Sequence, residues 1–224
     1  MKIYDPTLAL IVIHMPKTAG TSVQALYKSW FSDGLLLHYY NEAEGRMPIK
    51  YDIAGMHSKT TPLAIYGHFN KSRGFGVEQY YPEIQLFVTI LRDPFERAVS
   101  GYFYLRKQAQ NYKDQSRLPK NSLRDTLLDS RASLTNQFPR ETTLDNYKEI
   151  IESLFIEVGV TEYLDESLAR IAKKLNKSYD PESLQHLNAT ERDLSEIPYE
   201  LKEEFMETKS LDYAIYNYVL AKYT

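Results

Sequence analysis

Hydrophobic residues occur in short continuous runs, and each run is followed by apolar positions at a helical spacing. The first run covers residues 9–13 and is rich in β-branched side chains, and apolar residues then recur at Val23, Leu26 and Trp30. A continuous apolar run of this length is typical of a strand buried on both faces, and a spacing of three and four residues is typical of a helix. The pattern therefore predicts a strand over 9–13 and a helix over 21–31.

The same alternation continues along the chain. Further strands are predicted at 63–66, 85–91 and 155–160, and further helices over 95–110, 163–175 and 198–223. The polar stretch 113–143 is predicted to form short helices and loops that lie over a site, and 176–193 is irregular. Strands that alternate with helices indicate an α/β fold in three layers, with a central, mainly parallel β-sheet flanked by helices.

Length, charge and cysteine content narrow the class of protein. A chain of 224 residues with 43% hydrophobic and 25% charged residues is predicted to form one folded domain over residues 1–224. The formal net charge of −3 gives no general attraction to nucleic acid or acidic membranes, so an anion site needs locally placed basic groups. Because the chain has no cysteine, it has no disulfide, no thiolate metal site and no cysteine nucleophile.

No stretch of the sequence has the features of a secretion signal or a membrane span. The apolar run 8–13 is too short for either, and the N-terminus has no basic segment followed by a long apolar run. The chain is therefore predicted to be soluble and cytoplasmic, with no transmembrane segment.

The loop after the first strand has the composition of an anion site. It consists of Pro16, Lys17, Thr18, Ala19, Gly20, Thr21 and Ser22. Such a loop lies beyond the carboxyl end of a strand and at the N-terminus of a helix, where free backbone N–H groups and the helix dipole favour an anion. Gly20 allows close approach of the backbone, Lys17 adds a full charge, and the hydroxyl groups add donors. The alternative is a plain strand–helix turn capped by Thr21 or Ser22.

The loop differs from the loop that binds ATP in most nucleotide hydrolases. That loop places its lysine after spaced glycines and next to a hydroxyl residue that binds magnesium. Here Lys17 and Thr18 precede Gly20, and the spaced glycines are absent. The fold is therefore predicted to be P-loop-like, but hydrolysis of ATP or GTP is disfavoured.

A second motif, residues 89–102, follows a predicted strand in the same way. Arg92 stands at the end of the strand, and Ser100 lies two turns into the next helix, where it can face back toward Arg92. A guanidinium fork with a hydroxyl group suits a terminal phosphate dianion. The alternative is a structural ion pair between Arg92 and Asp93.

Taken together, the two motifs resemble those of sulfotransferases that use 3′-phosphoadenosine 5′-phosphosulfate (PAPS). "PKTAGTS" resembles their 5′-phosphosulfate loop, and "LRDPFERAVSGYFY" resembles their 3′-phosphate motif. "YGHF" and "VGVTEYLDE" are similar to segments of the carbohydrate branch that contains heparan sulfate 2-O-sulfotransferase. In that branch a second histidine often stands at the position that Tyr66 holds here. The Golgi membrane anchor that is usual in the branch is missing from this sequence, which suggests a soluble, bacterial-type member.

The resemblance implies transfer of a sulfuryl group from PAPS to a hydroxyl of an acceptor, with 3′,5′-adenosine bisphosphate (PAP) as product. A glycan or glycolipid is the leading acceptor, and a lipid, a small alcohol or a tyrosine phenol stays open. His68 is the candidate base because it ends a strand at the same sheet edge and histidine titrates near neutrality; the alternative is a structural histidine. Lys17 is the second catalytic candidate and stabilises the leaving phosphate.

The resemblance also places a loop over the cofactor at 185–190. Asn188 and Thr190 are the candidate donors there, and the alternative is a surface turn. No metal is implied, because the sequence has neither a His/Asp cluster nor a magnesium-binding hydroxyl in the usual loop position. Two other functions stay open: a P-loop-type kinase or other phosphoryl-transfer enzyme, and a non-catalytic nucleotide-binding module.

Overall fold

The computed structural model of the chain describes residues 1–56, 62–111, 118–119, 122–129, 132–184 and 197–224. In this part of the chain, the strands are β1 (Leu10–Ile13), β2 (Leu35–His38), β3 (Ala64–Gly67), β4 (Phe87–Leu91) and β5 (Phe155–Val160). They form one sheet in the order β2-β3-β1-β4-β5, and every pair of neighbours is parallel. The predicted α/β fold with a parallel central sheet is confirmed.

Helices connect the strands and cover both faces of the sheet. They are α1 (Gly20–Phe31), α2 (Ile53–Met56), α3 (Val77–Tyr80), α4 (Pro94–Asn111), α5 (Leu123–Leu128), α6 (Tyr147–Leu154), α7 (Leu164–Lys174), α8 (Tyr199–Thr208) and α9 (Ser210–Leu220). Among the described residues, no helix combines the length and the hydrophobicity needed to cross a bilayer.

The core has two halves because neighbouring side chains of a strand point to opposite faces. Ile11 and Ile13 of β1 pack in one half with residues of α6 and α9, and Leu10 and Val12 pack in the other with residues of α1 and α7. Both faces of β1 are therefore buried. This explains why the strand has a continuous apolar sequence rather than an alternating one.

The prediction of a single helix over 198–223 is wrong. The structure has two helices, α8 and α9, and the backbone leaves the helical conformation at Lys209, where φ is −108° and ψ is 35°. Lys209 is buried, and its ammonium donates to the carbonyl oxygens of Leu128 and Asp129 at the end of α5. A buried ammonium needs such acceptors, and the change of direction at Lys209 accompanies its placement beside α5.

Candidate functional site

Three segments that are far apart in the sequence meet at one edge of the sheet. β3, β1 and β4 are neighbours, so their carboxyl ends lie side by side, and His68, the loop 14–22 and Arg92 follow them directly. Two hydrogen bonds join the segments: His68 Nδ1 donates to the His14 carbonyl at 2.7 Å, and Arg92 Nη1 donates to the Lys17 carbonyl at 3.3 Å. This edge is where open α/β sheets bind ligands.

The backbone of the first loop is shaped for an anion. Lys17 and Ala19 have φ values of 70° and 59°, a left-handed conformation that costs about 1–3 kcal/mol for a residue with a side chain. The Thr18 hydroxyl donates to the Met15 carbonyl at 2.8 Å and closes the loop. A turn that contains left-handed residues can direct successive N–H groups toward one point, which is a general way to bind an anion.

The start of α1 has no side-chain cap. The residue that precedes the helix is Ala19, whose methyl group cannot cap it, and the first turn contains no acidic residue. Thr21 and Ser22 lie inside α1, so the expectation that one of them caps the helix is wrong. The loop brings together the seven predicted residues: Pro16, Lys17, Thr18, Ala19, Gly20, Thr21 and Ser22. A helix start without a side-chain cap, its positive dipole end and an adjacent lysine fit a doubly charged phosphate group.

Gly20 makes room for a histidine ring. A Cβ atom at this position would lie 1.6 Å from Nε2 and 2.2 Å from Cε1 of His14. Real Cβ atoms do not approach other atoms so closely, so the imidazole ring occupies the space that a side chain would fill. The Tyr66 hydroxyl donates to the Gly20 carbonyl at 2.8 Å and also holds the start of the helix.

His68 has the protonation state that a base needs. A carbonyl oxygen can only accept, so the bond to His14 requires the proton to be on Nδ1 and leaves the lone pair on Nε2. Burial lowers the pKa of His68, while the hydrogen bond to His14 and the charge of Glu42 oppose this shift. The ring is therefore neutral at pH 7, with Nε2 able to take a proton.

The second motif begins with a helix that is already capped. Asp93 accepts a hydrogen bond from the Glu96 N–H at 2.9 Å, and Glu162 accepts one from the Asp93 N–H at 2.9 Å. The Arg92 guanidinium lies 3.7 Å from the Glu96 carboxylate, in addition to its bond to the first loop. Ser100 is buried two turns along α4. Arg92 thus forms an ion pair with Glu96.

Three residues at this edge were not predicted. The Lys17 ammonium lies 4.0 Å from the ring centre of Tyr104, one turn beyond Ser100 on α4, which is a cation–π geometry. His14 stacks on His68 with ring centres 4.3 Å apart. His38, at the end of β2, is fully buried, and burial lowers its pKa to about 4. The sequence offered a signal for His14, which directly follows the predicted strand 9–13, but none for His38, because β2 was not predicted.

Part of the predicted site lies outside the described residues. This applies to Asn188 and Thr190, the candidate donors from the covering loop. The ranges that the structure describes contain no group of three or more His, Asp or Glu side chains that could hold a metal ion.

No protein-family model matches the chain, and a search of the curated proteins finds no relative. Among solved structures, the chain is similar to the mouse sulfotransferase SULT7A1 complexed with PAP. The TM-score is 0.55 at 13% sequence identity, and the match covers 98% of this chain and 90% of the mouse chain. At this identity the likeness shows that the two chains share a fold.

Proposed function

We propose that the protein is a sulfotransferase that moves a sulfuryl group from PAPS to a hydroxyl group of a carbohydrate and releases PAP. The observation that carries the proposal is the 3.3 Å hydrogen bond from Arg92 to the Lys17 carbonyl. It joins two motifs that suit the two ends of one doubly phosphorylated nucleotide. The fold shared with a mouse sulfotransferase that binds PAP supports the same nucleotide here.

The first loop is proposed to hold the 5′-phosphosulfate. Its N–H groups, the start of α1 and the ammonium of Lys17 meet the negative charge that develops on the oxygen between phosphorus and sulfur. Groups that are already oriented toward such a charge lower the barrier more than mobile water does. Lys17 is therefore proposed to be catalytic, since the charge it faces grows during the reaction.

The second motif is proposed to hold the 3′-phosphate through Arg92 and Ser100. This phosphate takes no part in the reaction, so binding it selects the nucleotide and rejects ATP, which lacks it. Asn188 and Thr190 are proposed to bind the cofactor from the covering loop. No step needs a metal ion.

His68 is proposed to be the base. Its Nε2 takes the proton of the acceptor hydroxyl as the acceptor oxygen bonds to sulfur and the bond from sulfur to the phosphate oxygen breaks in line. A carbohydrate acceptor is supported by the resemblance of 66–69 and 158–166 to the carbohydrate branch. A soluble enzyme of the cytoplasm is proposed with it.

Calorimetry followed by an acceptor screen tests the proposal. PAP is expected to bind more tightly than ATP without added magnesium, and labelled sulfate is expected to move from PAPS to a sugar hydroxyl in the presence of EDTA. Preference for ATP and a requirement for magnesium would instead support a phosphoryl-transfer enzyme. Tight binding of PAP with no transfer to any acceptor would support a non-catalytic module.

A further inference from the structure

The site contains two stacked histidines from neighbouring strands. His14 directly follows β1, and its backbone is fixed on both sides: its N–H donates to the Gly67 carbonyl at 2.8 Å, and its carbonyl accepts from His68 Nδ1 at 2.7 Å. The two rings lie 4.3 Å apart with their planes at 30°. A shift of either ring would therefore disturb the other.

The His14 ring lies between His68 and the first loop. Its Nδ1 is 2.9 Å from the Tyr39 hydroxyl, and the Tyr66 ring lies on its flank at 5.4 Å. Of its ring atoms, Nε2 is the nearest to the position of a Cβ on Gly20, at 1.6 Å. Nε2 thus lies against Gly20, the first residue of α1, at the end of the helix that favours an anion.

We propose that His14 is a second catalytic histidine, which donates a hydrogen bond from Nε2 to the sulfuryl group held at the first loop. This inference rests on the proposed function and assigns a further residue to the same site. His68 takes the proton of the acceptor, and His14 stabilises the sulfuryl oxygens during transfer. His14 itself neither gains nor loses a proton.

The chemistry of the ring fits a neutral donor. Burial and the neighbouring His68 lower the pKa of His14 well below its ordinary value of 6.5, so the ring carries one proton at pH 7. When the Tyr39 hydroxyl donates to Nδ1, that proton is on Nε2. An anion at the loop favours this tautomer, because an N–H group that points at negative charge is stabilised by it.

The arrangement also suits the proton transfer to His68. The stacked partner of a ring that becomes positively charged must not carry a charge of its own, because two like charges at this distance repel. His14 meets this condition because it is neutral. Its carbonyl keeps the His68 proton on Nδ1, so Nε2 is the nitrogen of His68 that can take a proton.

Three substitutions separate the donor from the ring. The glutamine amide in His14→Gln reaches the place of Nε2, the amide in His14→Asn reaches only the place of Nδ1, and His14→Phe keeps a flat ring with no donor. With the acceptor found in the screen, turnover is expected to fall about 100-fold in His14→Phe and His14→Asn, and to stay within about 5-fold of the unmodified protein in His14→Gln. PAP has no sulfuryl group, so its affinity is expected to change by less than about 3-fold.

The outcomes decide between donation and packing. Full turnover in His14→Phe would show that the ring only packs, and rescue by asparagine alone would show that only the bond to Tyr39 matters; either result overturns the inference. Nitrogen NMR of the histidine rings in the unmodified protein, with PAP bound, tests it without a substitution. The proton of His14 is expected on Nε2 and that of His68 on Nδ1, and a His14 proton on Nδ1 would overturn the inference.

These results are separable from those that test the proposed function. If the unmodified protein prefers ATP or transfers no sulfate, the proposed function fails. If it transfers sulfate and His14→Phe does so equally well, only the role of His14 fails.

Discussion

The units β1–α1 and β4–α4 have the same topology but begin their helices differently. In each, a buried parallel strand ends at the same sheet edge and a short loop leads into a helix. α1 starts after Ala19 with no acidic residue in its first turn. α4 starts with an N–H group bound by Asp93 and another bound by Glu162, and with Glu96 in its first turn.

The difference teaches that a strand–loop–helix unit does not determine how an anion is bound. If the first loop holds the 5′-phosphosulfate as proposed, the N–H groups at the start of α1 and the helix dipole would provide much of the binding. At α4 carboxylates accept from two backbone N–H groups, so the 3′-phosphate proposed for this unit would depend on the side chains of Arg92 and Ser100. We therefore expect the β1–α1 unit to depend on the space beside the Gly20 backbone, and the β4–α4 unit to depend on the guanidinium of Arg92.

The largest effect is expected from Lys17→Ala, which removes the ammonium charge from the loop of the β1–α1 unit. Turnover should fall about 100- to 1,000-fold, because a donor aimed at developing charge contributes about 3–4 kcal/mol to the barrier. Affinity for PAP should fall less than turnover. Steady-state kinetics and calorimetry measure the two. Lys28→Ala, at the far end of α1, where the ammonium donates to the Ser32 carbonyl, is the control and should leave both unchanged. Unchanged turnover in Lys17→Ala would remove the lysine from the mechanism.

A smaller effect is expected from Arg92→Ala in the β4–α4 unit. Affinity for PAP should fall about 10- to 100-fold, since hydrogen bonds to a charged group contribute about 1.5–3 kcal/mol. Affinity for adenosine monophosphate, which has no 3′-phosphate, should change little, and calorimetry with both nucleotides measures this. Arg92→Lys should restore part of the loss, because it keeps the charge but not the fork. Lys107→Ala on the exposed face of α4 is the control. Equal losses for the two nucleotides would contradict the assignment.

Most of the sheet could be predicted because its strands are buried on both faces. β1 and β3 are continuous apolar runs, and β4 and β5 are apolar apart from one polar residue each, Thr89 and Glu157. β2 was missed because it is a four-residue edge strand with Leu37 42% exposed. α6 was missed because it passes into β5 with no turn residue between Leu154 and Phe155.

The site could be predicted only where local sequence determines it. The first loop and Arg92 stand next to their strands, so the sequence shows their composition and their place at the sheet edge. Their roles stay predictions. The His14–His68 stack, the cation–π contact of Tyr104 and the cap by Glu162 depend on how separate segments pack, and no spacing in the sequence encodes such contacts.

Gly20→Ala tests whether the β1–α1 unit needs a residue without a side chain at position 20. The added Cβ meets the His14 ring, which is held by Tyr39, Tyr66 and His68. Overpacking of this kind should cost about 1–3 kcal/mol of unfolding free energy and reduce affinity for PAP. Urea denaturation and calorimetry measure the two effects.

Gly101→Ala is the matched control for this substitution. A Cβ at Gly101 would meet no atom within 4 Å, so this change within α4 should stabilise the protein by about 0.5–1 kcal/mol. If the two alanines have equal effects, the first unit has no special need for backbone space.

The smallest effect is expected from Tyr104, the one described residue at which a cation–π contact joins the two units. Its ring, on α4, lies under the ammonium of Lys17 at 4.0 Å. A cation–π contact at a partly exposed ring contributes about 0.5–1 kcal/mol, so Tyr104→Leu should lower turnover by about 2- to 5-fold. Tyr104→Phe keeps the ring and should behave as the unmodified protein does. A matched loss in both variants would mean that the hydroxyl matters rather than the ring. No loss in either would mean that the first unit positions its lysine without help from the second.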